Sequence, residues 1–220
     1  MGNKKFLNTS VGKKVVMAIT GQCFCAFLVV HLAGNLTLFL GQSHFDKYAK
    51  QLENLPMLIY PAEAVLILLA LFHIGAALKL TLANKSARPV GYAVYNSKAG
   101  GDWASSKMFI TGVFILAFLI LHLVQFKFAE RPDDSLYNVV FNAFTQPLWV
   151  GVYVAFIAIL SSHLAHGFQS AFQSLGINHP KYTPLIKKLS YVYAFVMWAG
   201  YTTIPLWIFI TDFIARSSQT

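Results

Sequence analysis

Two stretches decide the fold: MAITGQCFCAFLVVHL from Met17 to Leu32, and MFITGVFILAFLILHL from Met108 to Leu123. They lie 91 residues apart, and Met, Ile, Thr, Gly, Ala, Phe, Leu, His and Leu recur at the same offsets. Each is a continuous apolar run interrupted only by small or polar neutral residues and one histidine. Crossing a bilayer core of about 30 Å takes about 20 apolar residues of helix. Both runs, with their flanks, are long enough. They are also too continuous for the alternating strands of a membrane barrel. Two apolar helices share a small alphabet, so some identity between them is expected by chance. An ITG tripeptide and a histidine in the same register favour duplication instead.

The remaining chain extends this pattern. It has 220 residues, 56% of them apolar and 11% charged, against about 25% charged in a soluble domain. That composition excludes a disordered tail, a fibre, a disulfide-stapled secreted domain and an ordinary soluble enzyme. Five runs qualify as spans: about Val15 to Leu40, Met57 to Leu78, Met108 to Phe126, Pro147 to Ala171 and Leu189 to Thr211. The expectation is an all-α membrane protein forming one transmembrane domain over residues 1–220. Four helices make a bundle from two duplicated hairpins, and a fifth is added at the periphery. Pro56, Pro61 and Pro147 stand at or near helix starts, where a missing N–H costs least. Pro205 falls inside the fifth span, where it is expected to kink the helix. The first run is too long for a signal-peptide core and lacks a small-residue cleavage site. Cys23 and Cys25 form neither a redox pair nor a haem-attachment motif.

Basic residues set the orientation. One side receives Lys4, Lys5, Lys13, Lys14, Lys79, Lys85, Arg88, Lys98, Lys107, Lys181, Lys187 and Lys188. The other receives Lys47, Lys50, Lys127, Arg131 and Arg216. Of the acids, only Asp102 falls on the basic side. The positive-inside rule therefore places the N-terminus in the cytoplasm and the C-terminus outside, and the net charge of +9 reflects a membrane surface, not a nucleic-acid groove.

Ionisable residues inside spans are rare and usually functional. Here His31, His73, His122, His163 and His166 occupy four of the five spans. At 1.5 Å per residue, His31 stands roughly 25 Å along its helix from Lys14, and His122 roughly 22 Å from Lys107. On the antiparallel helices, His73 is roughly 9 Å from Lys79 and His163 roughly 18 Å from a helix end near Leu175. The four sort into two pairs at two depths: His31 with His122 in the outer half, His73 with His163 in the inner half. Alternate helices of a four-helix bundle can face one another. Two facing imidazoles are what a b-type haem requires as axial ligands. His166, one turn beyond His163, is an alternative ligand or a group standing behind it. Zinc on the His163-x-x-His166 pair lacks a matching Cys or acid. Gly21 and Gly112 each precede a histidine by ten residues, roughly 15 Å deeper, where a helix without a side chain can admit a flat macrocycle. Helix–helix packing is the plainer role for each glycine.

Glu63 is the one carboxylate well inside a span. It lies ten residues before His73, about 15 Å further out and level with the outer pair. An ordinary interfacial glutamate bonded to a Tyr or Trp is one reading. The other is proton exchange with a quinone beside the outer haem. Gln125, Gln146, Tyr60 and Trp149 lie at similar depth.

In combination, SVGKKVVMAITG, VVHLAGNLTLF around His31, the Glu63–His73 helix ending in LTLANKSARPVGY, SKMFITG, LILHLVQFKF and SHLAHGFQSAFQSLG cover nearly the whole chain. They resemble the dihaem cytochrome b membrane anchor of succinate:quinone oxidoreductases, the five-helix, single-polypeptide type. The resemblance implies two haem b groups: an outer one on His31 and His122, and an inner one on His73 and His163. It selects His163 over His166, because the ligand there precedes a glycine by four residues. It also implies an FAD flavoprotein and an iron–sulfur subunit on the cytoplasmic face of a prokaryotic membrane, and a quinone of the menaquinone class. The chain has no dinucleotide loop and no Cys cluster, so the resemblance gives it no succinate chemistry of its own. Other dihaem anchors, of hydrogenase or formate dehydrogenase type, would also present paired membrane histidines. A haem-free proton-coupled transporter would use the histidines and Glu63, but it favours inverted repeats, and this repeat joins helices of one orientation.

Overall fold

The computed structural model describes Phe6 and residues 9–87, 103–131 and 133–219. Lys4, Lys5, Arg88, Lys98 and Asp102, which enter the charge argument above, lie outside the described residues. The elements are α1 (Ser10–Leu36) with a 3-10 turn (Thr37–Leu40), α2 (Gln42–Glu53), α3 (Pro56–Ser86), and α4 (Trp103–His122) with a π turn (Leu123–Lys127). They continue with α5 (Leu136–Phe144), α6 (Pro147–Ser174) and α7 (Thr183–Ser217). No strand occurs among the described residues.

Among the described residues, five helical segments are long and apolar enough to cross a membrane: Ser10–Leu40, Pro56–Ser86, Lys107–Lys127, Pro147–Ser174 and Thr183–Ser217. The expected spans are all present. Large apolar side chains stay exposed along them, Met57 at 93% and Phe72 at 61% among others. A soluble protein does not expose apolar surface on that scale; a lipid-facing one does. The chain is thus an all-α protein of the multi-pass membrane class. Several helices outrun the apolar segments that announced them. α3 continues past Leu78 to Ser86, and α7 starts at Thr183 and ends at Ser217. Hydropathy marks only the part immersed in hydrocarbon, whereas intrahelical hydrogen bonding continues through polar flanks of helix-forming residues. Pro61 and Pro205 both lie inside helices that run through them.

The chain divides into two compact units. The first comprises Met1–Phe27, Pro61–Gly112 and Ser162–Ala194; the second comprises Leu28–Tyr60, Val113–Ser161 and Phe195–Thr220. In the first, the buried residues are small or slender: Ala18 and Cys25 of α1, Ala76 and Leu80 of α3, Leu164 and Ala171 of α6, Ala194 of α7. Small side chains let helix backbones approach, which is how membrane helices gain contact when lipid removes the usual hydrophobic drive. Hydrogen bonds add to it: Tyr193 Oη donates to the Cys25 carbonyl at 2.8 Å, and Gln22 Nε2 to the Phe168 carbonyl at 3.3 Å. Phe168 stacks on Tyr193 with ring centroids 5.2 Å apart.

The second unit holds a core of larger groups: Leu38, Phe45, Val140, Phe144, Val150, Tyr153, Ile157, Ile204 and Ile208. Two of its glycines are sites of close approach. A Cβ on Gly34 would collide with the Tyr48 ring, and one on Gly200 would meet Leu32 Cδ2 at 2.7 Å. Tyr201 Oη donates to the Leu28 carbonyl at 2.8 Å.

Two features add to the sequence expectation. The fifth span, α7, carries three of the four largest fully buried residues, Ser190, Pro205 and Ile208. Its residues are shared between the two units, and its tyrosines bond α1 carbonyls. The short helices α2 and α5 were also not foreseen. Each is too short for the membrane, and each buries a pair four residues apart: Phe45 and Ala49 in α2, Val140 and Phe144 in α5. That spacing is a helical stripe, too short to register beside the long spans. Asp46 joins the two. Its Oδ2 accepts the Ser135 hydroxyl at 2.7 Å and its Oδ1 accepts the Tyr137 N–H at 2.9 Å. Ser135 Oγ in turn caps α5 by accepting the Asn138 N–H at 3.2 Å.

An Asp46→Ala variant should lose about 1.5–3 kcal/mol of stability, the usual worth of hydrogen bonding to a charged group. Breaking the exposed Glu53–Arg131 ion pair with Glu53→Ala should cost less than about 1 kcal/mol. Thermal unfolding of both variants in one detergent checks the order.

Candidate functional site

The histidines expected to pair are divided between the units. His73 and His163 belong to the first, His31 and His122 to the second. All four are half-buried.

In the second unit, His31 of α1 and His122 at the end of α4 face one another with ring centroids 5.9 Å apart and planes at 87°. Metal–imidazole bonds of about 2 Å on opposite sides of one ion put two ring centroids at a separation of about 6 Å. The neighbourhood is aromatic. Tyr201 lies 6.1 Å from His31; Phe126, Phe118 and Tyr153 lie 5.4, 6.0 and 6.2 Å from His122. Asn35 Nδ2 donates to the His31 carbonyl at 2.8 Å and stands 3.4 Å from His31 Nε2. His122 Nδ1 is buried and has no hydrogen-bond partner among the described residues. A buried polar atom left without a partner costs about 1–3 kcal/mol, and such atoms call for a specific role. Directly after His122 the helix widens into the π turn, with the Phe128 N–H bonded to the Leu123 carbonyl at 2.9 Å. Turns of this kind sit often at functional sites.

In the first unit stand His73 of α3 and His163 of α6. Each meets the same two residues of the repeated ITG element. Thr20 Oγ1 lies 3.0 Å from His73 Nδ1, and Thr111 Oγ1 lies 3.0 Å from His163 Nδ1. A Cβ added at Gly21 would stand 3.4 Å from His73 Cε1, and one at Gly112 3.7 Å from His163 Cε1. The two glycines expected to admit a macrocycle thus each lie beside an imidazole ring. Phe24 adds an edge contact to His73 at 6.0 Å. His166 is half-buried, one turn from His163 on the same helix.

Glu63 is half-buried in the early turns of α3. Of the polar groups considered for it by depth, Gln125 accepts the Tyr153 hydroxyl at 3.0 Å. Tyr60 is 68% exposed. Gln146 supplies its carbonyl to the first turn of α6, and Trp149 packs on the core of the second unit.

Among the described residues, no three His, Cys, Asp or Glu side chains converge as a metal-ion site. His31 and His122 meet as a pair. Two imidazoles at metal-spanning separation, an unpartnered ring nitrogen and an aromatic surround fit a group that brings its own equatorial ligands, as a porphyrin does. Thr20, Thr111, Tyr153 and Tyr201 had no role in the sequence reading. The tripeptide repeat contained the signal for both threonines, but nothing in one dimension says that a hydroxyl meets a ring more than fifty positions away. Comparison of the chain with protein-family models, with curated proteins and with solved structures finds no match.

Replacing Gly21 by Leu should push the His73 ring from its seat and leave His163 in place; Gly112→Leu should do the reverse. Histidine ring resonances of the two variants, followed by NMR in lipid nanodiscs, report which ring moves.

Proposed function

We propose that the chain is the membrane-anchor and electron-transfer subunit of a succinate:quinone oxidoreductase, linking an iron–sulfur subunit to a quinone of the menaquinone class through two b haems. The observation that carries this reading is the ring-to-ring approach of His31 and His122 at 5.9 Å, on two apolar helices of membrane length. The second pair, His73 and His163, each braced by a Thr and seated on a Gly, supports it. The succinate-specific part rests on the resemblance of the six sequence stretches quoted above. When bound, the haems supply one-electron transfer across the membrane.

The protein's own groups have separable roles in this reading. His31 and His122 hold the outer haem, His73 and His163 the inner one, and His166 stands behind His163. Apolar helices exclude water from both. The aromatic surround of His31 and His122 lowers the local polarity, a lever on the stability of a charged iron. Glu63 exchanges a proton with quinone at the outer side. The N-terminus lies in the cytoplasm and the C-terminus outside the cytoplasmic membrane of a prokaryote. The FAD flavoprotein and iron–sulfur subunits dock at the basic inner surface, where Lys79, Lys85, Lys107, Lys181, Lys187 and Lys188 stand.

The test is a redox difference spectrum with haem stoichiometry on the full chain. Two b-type haems per chain are expected, one each in His31→Ala and His122→Ala, and one each in His73→Ala and His163→Ala. A spectrum without b-type signals overturns the reading. Subunits co-purified from native membranes then decide its finer part. A flavoprotein with succinate dehydrogenase activity sustains it, and a nickel or molybdenum enzyme replaces it with another quinone-linked anchor. Glu63→Gln should keep both haems and lower quinone turnover about 100-fold or more, the usual weight of a positioned proton-transfer group. Unchanged turnover makes Glu63 structural.

A further inference from the structure

The contact between Thr20 and His73 contains more than proximity. A hydroxyl has one hydrogen to donate and two lone pairs to offer. Thr20 Oγ1 lies 2.8 Å from the Val16 carbonyl and 3.1 Å from the Met17 carbonyl. Both are acceptors only, so the single hydroxyl hydrogen is directed at them. That leaves Thr20 to present a lone pair to His73 Nδ1, 3.0 Å away. Two lone pairs cannot face one another at that distance with profit, so His73 Nδ1 carries a hydrogen. The arrangement recurs on the other half of the repeat. Thr111 Oγ1 lies 3.2 Å from the Lys107 carbonyl, 3.0 Å from the Met108 carbonyl and 3.0 Å from His163 Nδ1. The residue after each threonine is the glycine that seats the same ring.

A hydroxyl bonded back to its own helix is common in membrane helices and by itself means little. Here the same atom of the same side chain meets the same ring nitrogen twice, at positions related by the internal repeat. A neutral imidazole protonated at Nδ1 has its free lone pair at Nε2. A metal-ligating histidine typically donates its other N–H to an acceptor, which sets the tautomer and raises the ligand's basicity.

We infer that Thr20 and Thr111 are positioning residues, holding His73 and His163 as Nδ1–H tautomers with Nε2 free to ligate iron. The ligation part rests on the haem reading above; the tautomer does not. The inference also separates the two pairs. In the His73–His163 pair both Nδ1 atoms have a hydroxyl acceptor. In the His31–His122 pair, His122 Nδ1 has no partner among the described residues. The protein thus supplies two different electronic settings for two otherwise similar bis-imidazole sites.

The experiment is redox potentiometry of the full chain carrying Thr20→Val, Thr111→Val or Thr20→Ser. Valine keeps the shape of threonine and removes the acceptor; serine keeps the acceptor. A less basic imidazole stabilises the oxidised iron less. Each valine variant should therefore raise the midpoint potential of one haem and leave the other unmoved, and Thr20→Ser should resemble the parent. Loss of one haem in Thr20→Val that Thr20→Ser retains supports the same conclusion. Two haems with unmoved potentials in both valine variants overturn the inference, as does haem loss in the valine and serine variants alike. If the parent chain holds no haem, the haem reading falls and the tautomer is decided directly. Proton–nitrogen correlation spectra of ¹⁵N-histidine-labelled chain in nanodiscs should then show Nδ1–H forms for His73 and His163, with Thr20→Val altering His73 alone. An Nε2–H form of either ring in the parent overturns it.

Discussion

An imidazole inside a bilayer cannot turn to water for its hydrogen bonds, and this shortage organises the molecule. Each ring nitrogen must be met by the protein or by a ligand, or it costs free energy. In the first unit the chain meets the demand with hydroxyls already tied to their own helices, so that each threonine is left with a lone pair for the ring. In the second, His122 Nδ1 has no such partner among the described residues, and the rings of His31 and His122 meet edge-on among aromatics.

The duplication gains a physical meaning from these contacts. Repeated hydrophobic residues say only that two helices face similar surroundings. A repeated Thr–Gly pair that braces and seats a histidine from a different helix says that an interaction was duplicated, with both of its partners. Thr20 and Thr111 are 91 residues apart, and His73 and His163 are 90. The one-residue slip falls where the second and fourth spans match poorly in sequence, so the geometry was kept while the surrounding residues diverged. α7 has no counterpart in this repeat, yet its tyrosines donate to α1 carbonyls and its residues are among the most buried. A helix added to a duplicated bundle can still become part of its packing when small residues and hydroxyls allow backbones to approach.

The two units also differ in how they are held. Close packing of alanines and a cysteine suits the first, where helix backbones must come near enough for a threonine to reach a ring. The second is built from Phe, Tyr, Ile and Leu and is finished by two short helices locked through Asp46 and Ser135. Of these helices α2 carries a charged face, in keeping with a position beyond the apolar spans.

Much of this was legible from residue order alone. Apolar runs long enough to cross hydrocarbon leave one structural solution, because lipid forces every backbone N–H and C=O to be satisfied within the segment. The five spans, the approach of His31 to His122 and the special character of the ITG element follow from length, helical rise and repetition. What residue order could not specify is who touches whom across the bundle. The hydroxyl partners of His73 and His163, the orphaned nitrogen of His122, the burial of α7 and the Asp46 lock all depend on rotation of helices about their axes and on contacts between distant residues. Periodicity does not determine that rotation when helices are apolar on every side. Only the packed structure decides it, because the choice is made by the few polar atoms that must find one another in a medium offering them nothing else.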